Sequence, residues 1–328
     1  MRIVRQVALT WALLTAAAAQ EAYLAVIEKV AGAVGFFTED GRQLAQVKVG
    51  NFPHEAALSV DGRYLYVSDN GVLWMTEDAQ GTNTISVVDV RAMKKTDTID
   101  LGRFHRPHGL ALLPDQTHLL ATTERPFGLV SIDVTARKVT RNYDIKGKSP
   151  HMVIPTRDGK WAFVSDTDSN AVAAIELATG AATLLPTAAR PQGGVLSASG
   201  DRLYLVCTDG NRIAIIDTQA KRVIGEVATG KGPGRIAITP DGKTLVYNLQ
   251  FEPAVGFADI ASGKQVATVP LSGRPLSLTM TRDGRRAFAG IQDQDKIELI
   301  SVAERKIERT ISLPKGSGPD PVIPLGTR

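Results

Sequence analysis

The sequence predicts an all-β fold, a seven-bladed β-propeller with four-stranded antiparallel blades. A proline followed by a short apolar strand recurs seven times in the 328 residues, at Pro53, Pro107, Pro150, Pro191, Pro233, Pro275 and Pro319. The separations are 54, 43, 41, 42, 42 and 44 residues, and a repeat of roughly 40 to 50 residues is the length of one propeller blade. Helical periodicity is absent beyond the N-terminal segment.

Every repeat carries the same order of strand and turn signals, and residues 150–186 show it most clearly. Four strands are predicted in this repeat: PHMVIPT, KWAFVSD, VAAIEL and AATLLPT. The turns between them are Asp158-Gly159, a polar turn and Thr179-Gly180. The Asp-Gly pair returns in other repeats, since glycine adopts the positive φ of a tight hairpin at no steric cost. Third strands such as ISVVDV and IAIIDT are short and β-branched, which suits a sheet packed on both faces.

The two ends of the chain are expected to share one blade. Residues 22–49 contain three strand-like runs with no inner strand before them, and only nine residues follow Pro319. The segment PVIPLG around Val322 therefore supplies the missing strand and closes the ring, which removes an exposed sheet edge. A single propeller domain is expected over residues 20–328.

The N-terminal segment has the pattern of a secretory signal peptide, predicted over residues 1–19. A basic start is followed by an apolar stretch from Val7 to Ala17, and the small residues Ala17 and Ala19 suit a peptidase. The apolar stretch is short for a bilayer span, and no later run approaches about 20 residues. We expect a periplasmic or secreted protein with no membrane span in the mature chain.

Composition narrows the classes of partner. Apolar residues make up 43% and charged residues 22% of the chain, which excludes wholesale disorder and a polytopic membrane protein. The net charge is +4, and Arg2 and Arg5 lie in the predicted leader, so bulk charge does not indicate nucleic-acid or membrane binding. Cys207 is the only cysteine, which excludes an internal disulfide and a covalent haem attached through Cys-x-x-Cys-His.

Polar residues follow the repeated proline in consecutive blades. Because the inner strands surround one channel, the residues after each proline are expected to form a ring at its mouth: His54, His108, His151, Gln192, Gly234, Leu276 and Asp320. Three of the five histidines occupy equivalent positions. Neutral imidazole binds divalent transition metals, so His54, His108 and His151 are candidate metal ligands; the alternative is a structural role at the funnel.

Acidic residues lie in the same sector. Asp69 and Asp166 end the second strands of their repeats, and Glu124 lies one residue beyond that register, which reverses its side-chain direction unless a bulge intervenes. The long first interval contains the insertion GVLWMTEDAQGTN, expected to be a lid or recognition loop. Asp69, Glu77 and Asp166 are the candidate general bases.

Cations in the inter-blade turns form a candidate ligand-binding collar on the same face. The set comprises Arg103, Arg106, Lys146, Lys148, Arg190, Lys231, Arg274 and Lys315. Arg106, Arg190 and Arg274, together with Trp74 of the insertion, are the residues expected to bind an anionic ligand. The alternative is that these side chains simply solvate exposed turns.

The strands YLYVSD and WAFVSD, after S-V-D-G-R and T-R-D-G-K, resemble those of the YVTN-repeat, YncE-like family of seven-bladed propellers. The resemblance covers essentially the whole mature chain. It implies the propeller fold, whereas its members serve as binding proteins, lactone-cleaving hydrolases or parts of respiratory enzymes.

The sequence therefore favours an exported binding or interaction protein with a histidine-lined funnel and a small-molecule, anionic or protein ligand. One alternative is a metal-dependent hydrolase or lyase that uses His54, His108 and His151, with lactone opening as the first reaction to test. A second alternative is binding of nucleic acid or another polyanion at the basic rim. Whether the site is catalytic is left open.

Overall fold

A computed structural model describes residues 21–325 as seven four-stranded antiparallel sheets arranged in a ring. Each sheet is one blade, and the inner strand of each blade contacts the inner strands of its two neighbours. This architecture confirms the predicted seven-bladed propeller. The leader predicted over residues 1–19 lies outside the described residues. Within residues 21–325, no helix has both the length and the apolar character needed to cross a membrane.

The first three blades span the chain up to Tyr143. Their strands are β1 (Leu24–Glu28), β2 (Ala33–Phe37), β3 (Gln43–Lys48), β4 (Pro53–Leu58), β5 (Tyr64–Asp69), β6 (Thr84–Asp89), β7 (Lys94–Asp100), β8 (His105–Leu112), β9 (His118–Arg125), β10 (Phe127–Asp133) and β11 (Lys138–Tyr143). The second blade has the order β4-β5-β6-β7 and the third β8-β9-β10-β11, so each blade runs outward from the channel in chain order.

The remaining blades repeat this order. Their strands are β12 (Pro150–Pro155), β13 (Trp161–Asp166), β14 (Ala171–Glu176), β15 (Ala182–Pro186), β16 (Pro191–Leu196), β17 (Arg202–Cys207), β18 (Arg212–Asp217), β19 (Arg222–Ala228), β20 (Pro233–Ile238), β21 (Thr244–Leu249), β22 (Ala254–Asp259), β23 (Lys264–Pro270), β24 (Pro275–Met280), β25 (Arg286–Ile291), β26 (Lys296–Ser301), β27 (Lys306–Ser312) and β28 (Pro319–Pro324). A short 3-10 turn covers Gln292–Gln294.

The C-terminal strand closes the ring, as the sequence predicts. β28 pairs antiparallel with β1, with Val322 opposite Val26, and the first blade has the order β28-β1-β2-β3. Both valines are fully buried. The N- and C-terminal segments therefore hold each other in a single sheet, in which β28 covers the inner edge of β1.

The hairpins between first and second strands have the predicted backbone conformation. Gly62, Gly159, Gly242 and Gly284 have φ values of 71°, 66°, 69° and 70°. Gln116 takes the same position in the third blade with a φ of 58°. The Asp-Gly repeat therefore marks a left-handed turn position that glycine favours.

The hydrophobic core lies between neighbouring blades. Second and third strands are almost continuously buried, as in β13 and β14, whereas the outer strands alternate between exposed and partly buried residues, as in β7. One cluster joins Ile85 of the second blade to Leu119 of the third. Sheet-on-sheet burial all round the ring leaves polar side chains for the channel and the rim.

Candidate functional site at the channel mouth

A one-residue bulge in the pairing of each inner strand determines which side chains reach the channel mouth. Pro53 pairs with Asp69 and Ala56 with Val67, so the inner strand contains one extra residue, and the same shift occurs in all seven blades. A bulge re-aims side chains next to it. Two sets of side chains result. The inner ring consists of the residue after each repeated proline, from His54 to Asp320. The second ring consists of the residue that follows each proline's pairing partner: Lys29, Asn70, Glu124, Thr167, Thr208, Gln250 and Gln292.

The three histidines of the inner ring come together. The ring centroids of His54 and His108 are 4.6 Å apart, and those of His108 and His151 are 4.3 Å apart. Their exposed fractions are 3%, 3% and 5%. Pseudo-symmetry thus places imidazoles from three blades in one buried stack.

Two of these histidines are held in the neutral form. Burial lowers the pKa of His54 well below its usual value, and the positive charge of Lys29 lowers it further. Burial, followed by the neighbouring His108 and the charge of Arg235, lowers the pKa of His151 in the same way. His54 donates from Nε2 to the carbonyl oxygen of Val72 at 2.8 Å. At neutral pH these rings offer hydrogen-bonding nitrogens without adding charge.

Glu124 is central to the site, although the sequence left its register in doubt. Its Oε1 lies 2.9 Å from Nδ1 of His108, and its Oε2 lies 2.7 Å from the guanidinium of Arg106. Asn70 donates to the same carboxylate at 3.4 Å. Glu124 lies one position beyond the register of Asp69 and so belongs to the second ring, whose side chains face the channel. Thr123, which pairs with Pro107, takes the position of Asp69 in this blade.

Asp69 and Asp166, the predicted general bases, are engaged in the architecture of their blades. Asp69 accepts hydrogen bonds from the Gly50 amide at 2.8 Å and from Thr84 and Ser86, and burial raises its pKa. Asp166 accepts from the amides of Lys148 at 2.7 Å, Ser149 at 3.0 Å and Ser169 at 3.2 Å. Both carboxylates therefore tie a second strand to adjoining turns.

The insertion lies over the histidines. Arg106, only 2% exposed, donates to the backbone carbonyls of Met75 and Glu77, each at 2.9 Å. Trp74 is 44% exposed and lies 5.6 Å from the Lys29 ammonium. The carboxylate of Glu77 accepts from the Trp74 amide at 2.7 Å, which forms a turn within the loop. Residues 71–83 thus form a strap, fastened from below by Arg106.

The sequence placed Arg106 in an exposed cationic collar, but the structure buries it against Glu124 and the strap. Arg190 and Arg274 are exposed on inter-blade turns, as expected. Arg274 donates to Gln250 at 3.3 Å and lies 5.4 Å from the ring of Phe251. The exposed collar therefore lacks one of the three arginines predicted to bind a ligand.

Two buried ion pairs at the mouth have no counterpart in the sequence predictions. Arg235 of the sixth blade reaches Glu55 of the second blade, almost opposite in the ring, at 2.5 Å. Lys29 lies 3.3 Å from Asp320 within the first blade. Glu55 and Arg235 could have been found from the bulge, because each is the next residue in the chain after a member of the inner ring. Their pairing across the channel depends on ring closure.

Two nitrogens of the histidine stack already have partners within the protein. Nε2 of His54 is directed to Val72 and Nδ1 of His108 to Glu124, and neighbouring rings meet edge to face or tilted. Across residues 21–325, no group of three or more His, Cys, Asp or Glu side chains is arranged to hold a metal ion. The three-histidine metal centre stays a prediction of the sequence.

Unpartnered polar atoms concentrate at this mouth. Eight buried side-chain atoms in the described chain lack a hydrogen-bond partner, and six belong to the inner ring, the second ring or the bulge positions: Asn70 Oδ1, His151 Nδ1, Arg235 Nε, Ser277 Oγ, Gln292 Oε1 and Asp320 Oδ1. The other two belong to His105 and Arg106, beneath the strap. Native proteins pair almost all buried polar atoms, with ordered water where no protein group is in reach, so these atoms are available to molecules other than the protein.

Comparison with known proteins supports the fold. No family model matches the chain, so the YVTN-repeat resemblance stays a prediction. A protein of unknown function from Desulfotomaculum acetoxidans superposes with a TM-score of 0.78 at 16% identity, covering 93% of this chain and 99% of that one. A periplasmic gluconolactonase from Pseudomonas aeruginosa gives 0.74 at 16% identity, with 92% and 98% covered.

Hydrazine synthase from Kuenenia stuttgartiensis gives a TM-score of 0.71 at 19% identity, with 84% of this chain and 91% of that one covered. Among curated sequences, the chloroplastic protein SUPPRESSOR OF QUENCHING 1 from Arabidopsis thaliana is 24% identical over 201 residues, 48% of this chain. The chain covers only 19% of that relative's length. At these identities the likenesses establish the propeller fold, and function has to be argued from the site.

Proposed function

We propose that this propeller binds a small polar molecule at the channel mouth, beneath the strap of residues 71–83. The observation that carries the proposal is the group of six buried, unpartnered polar atoms contributed by five different blades. Leaving a buried donor or acceptor unpaired costs about 1 to 3 kcal/mol. A ligand that pairs with several of these atoms recovers much of that cost.

The walls of the site are pre-arranged, which favours binding. Glu124 orients His108, and Val72 orients His54, so the imidazoles are held before a ligand arrives. Pre-organised groups lose little conformational entropy on binding. Ligand pockets in propellers and barrels typically combine such a rigid wall with a few polar groups.

A thermal-shift screen of the purified protein against a defined mixture of polar metabolites under 500 Da tests the proposal. A ligand at about 100 times its dissociation constant stabilises a protein by about 2.7 kcal/mol. We expect the shift to vanish in His151→Phe, which fills the stack, and to persist in His118→Phe on the exposed hairpin of the third blade. Equal shifts in both variants, or no shift in the wild type, would contradict ligand binding at the mouth.

The His108–Glu124 pair favours a second candidate function, hydrolysis of a lactone. A histidine whose Nδ1 is held by a carboxylate presents Nε2 as a general base. In this reaction water attacks the carbonyl carbon, and His108 accepts the water proton. The ring C–O bond then breaks, and the proton returns to the leaving oxygen to give a hydroxy acid. A periplasmic gluconolactonase shares the fold.

Acid release from glucono-δ-lactone in a pH-stat tests hydrolysis. We expect a rate above the spontaneous one that falls about 100-fold in His108→Gln, the lower end of a general base's contribution. Glu124→Gln removes the carboxylate that holds Nδ1 of His108 and should also lower the rate, whereas Asp166→Asn, at the end of β13, is the control and should keep it. A wild-type rate equal to the background contradicts this function and leaves the binding proposal standing.

The leader pattern supports action outside the cytoplasm. Cleavage after Ala19 gives a mature chain that begins at Gln20, close to the start of the propeller. Mass spectrometry of the protein from its native source tests this, with the mass of residues 20–328 as the expected result. An intact N-terminus would contradict export by a cleaved signal.

A further inference from the structure

We infer that Asp320, Gln292 and Ser277, on the wall formed by the seventh and first blades, make a second subsite that binds hydroxyl groups of a neutral, polyhydroxylated ligand. The inference rests on the proposed binding function and names the ligand class. All three side chains are more than nine-tenths buried, and each has an unpartnered oxygen. The first and seventh blades supply this wall, whereas the second, third and fourth blades supply the histidine stack.

The repeat places these three groups close together. In two other blades the second-ring residue reaches the proline carbonyl of the next blade: Asn70 donates to Pro107 at 3.2 Å, and Thr208 donates to Pro233 at 2.7 Å. Gln292 is the corresponding residue of the seventh blade, and the next proline directly precedes Asp320. The Gln292 amide therefore lies at the junction with Asp320.

Ser277 approaches the same junction through Gly290. A Cβ built on Gly290 would lie 2.5 Å from the Ser277 oxygen and 2.8 Å from the carbonyl oxygen of Pro319. Only glycine allows both oxygens to approach so closely. The carbonyl before Asp320 and the hydroxyl of Ser277 thus converge over one glycine.

Charge at the mouth cancels, which favours an uncharged ligand. Three buried cations are paired with three buried carboxylates: Lys29 with Asp320, Arg235 with Glu55, and Arg106 with Glu124. His54 and His151 are neutral at pH 7, since burial lowers the pKa of each. At the buried wall, a charged ligand would have to be desolvated without an unpaired buried charge of opposite sign beside it.

The unpartnered atoms also indicate what the ligand must donate. The oxygens of Asn70, Gln292 and Asp320 are acceptors, whereas Arg235 Nε is a donor. Ser277 and His151 can act in either sense. Acceptors therefore predominate, and a set of hydroxyl groups supplies the matching donors while still accepting from Arg235.

Titration calorimetry with D-glucose, D-gluconate and D-glucosamine, three hydroxylated probes that differ in charge, tests the inference. We expect D-glucose to bind at least about tenfold more tightly than either charged probe. Gln292→Leu and Ser277→Ala should each weaken glucose binding about tenfold, the upper range for one hydrogen bond. Gln294→Leu, an exposed glutamine in the same turn, is the matched control and should leave the affinity unchanged.

Tighter binding of gluconate or glucosamine than of glucose overturns the ligand class. So does the absence of glucose binding at about 10 mM, which is weaker than most specific affinities. In that case a ligand found in the metabolite screen that still depends on His151 leaves the binding function intact. The absence of any ligand in both experiments overturns the binding function itself. Unfolding curves of each variant show whether a lost affinity comes from a lost fold.

Discussion

The second to fourth blades and the fifth to seventh blades share one backbone and present different chemistry at the channel. The bulge and the strand pairing are the same in both halves. The inner ring carries three histidines in the first half, whereas Gln192, Gly234 and Leu276 replace them in the second. The repeat therefore fixes where side chains point, and the residue at each position is free to change because it faces the channel rather than a packed sheet.

The sixth blade shows how that freedom is used. A Cβ on Gly234 would lie 2.0 Å from Nε2 of Gln250, a residue of the second ring. Where the inner ring lacks a side chain, the second ring fills its place. Arg235, one residue later, crosses the channel to Glu55, so the half without histidines supplies the cation that faces them.

Ring closure joins the two halves and should give the largest effect. Deletion of residues 319–328 removes the inner strand of the first blade and exposes the edge of β1, so we expect loss of the cooperative unfolding transition. Urea denaturation followed by circular dichroism measures this. Deletion of residues 326–328 alone, which keeps β28, is the control. A deletion of ten residues that melts like the wild type contradicts closure by the C-terminal strand.

The strap distinguishes the histidine half, and Arg106 holds it. Arg106→Met removes the bonds to the strap and leaves Glu124 buried without its cation, so we expect a loss of about 3 to 5 kcal/mol in the free energy of unfolding. Faster proteolysis within residues 71–83 should accompany it. Arg125→Gln, which breaks an exposed ion pair with Asp78 on the same loop, should change little. Equal stability of the two variants would contradict an anchoring role.

The neutral histidines should make this half sensitive to acid. The folded-state pKa values of His54 and His151 lie well below the unfolded value of 6.5. The unfolded chain therefore takes up protons first, and stability is lost as pH falls below 6.5. Two such groups lower the free energy of unfolding by about 2 kcal/mol in total between pH 6.5 and roughly pH 5.5.

Urea denaturation between these pH values checks the slope, which His54→Gln/His151→Gln should remove and His118→Gln should retain. The raised pKa values of Glu28 and Asp69 act in the opposite direction, because the folded state then takes up protons first. Both acids are retained in the double variant, so its difference from the wild type reports the histidines. An unchanged slope in the double variant would exclude the histidines as its cause.

The smallest effect separates equivalent positions in the two halves. Asp69 and Cys207 both pair with an inner-strand proline. Asp69→Asn turns an NH₂ group toward hydrogen-bond donors and should lower the free energy of unfolding by about 2 kcal/mol. Cys207→Ala removes only buried apolar surface and should lower it by about 1 kcal/mol. Burial raises the pKa of Cys207 to about 11, so its thiol should stay unalkylated in the native protein. Equal losses in unfolding free energy would contradict the anchoring role of Asp69.

Much of the site could be predicted because a repeat with one register superposes distant residues. The proximity of His54, His108 and His151 follows from their common place after the proline. The hydrogen bonds that engage Asp69 and Asp166 could not be predicted, because the direction of a side chain next to a bulge depends on the pairing of both strands. The side-chain direction of Glu124 was uncertain for the same reason. Its position one residue beyond the register of Asp69 and Asp166 is what brings it to His108. The role of Asp69 and Asp166 as general bases stays a prediction.

The amino-acid sequence by itself determined the number of blades, the hairpin turns and the closure by Val322, because periodic burial and turn chemistry are local properties of the chain. Only the tertiary structure decided the contacts across the channel, such as that of Arg235 with Glu55. Those contacts depend on the diameter of the ring and on the strap above it. No spacing along one polypeptide encodes a distance between side chains that face each other over an open centre.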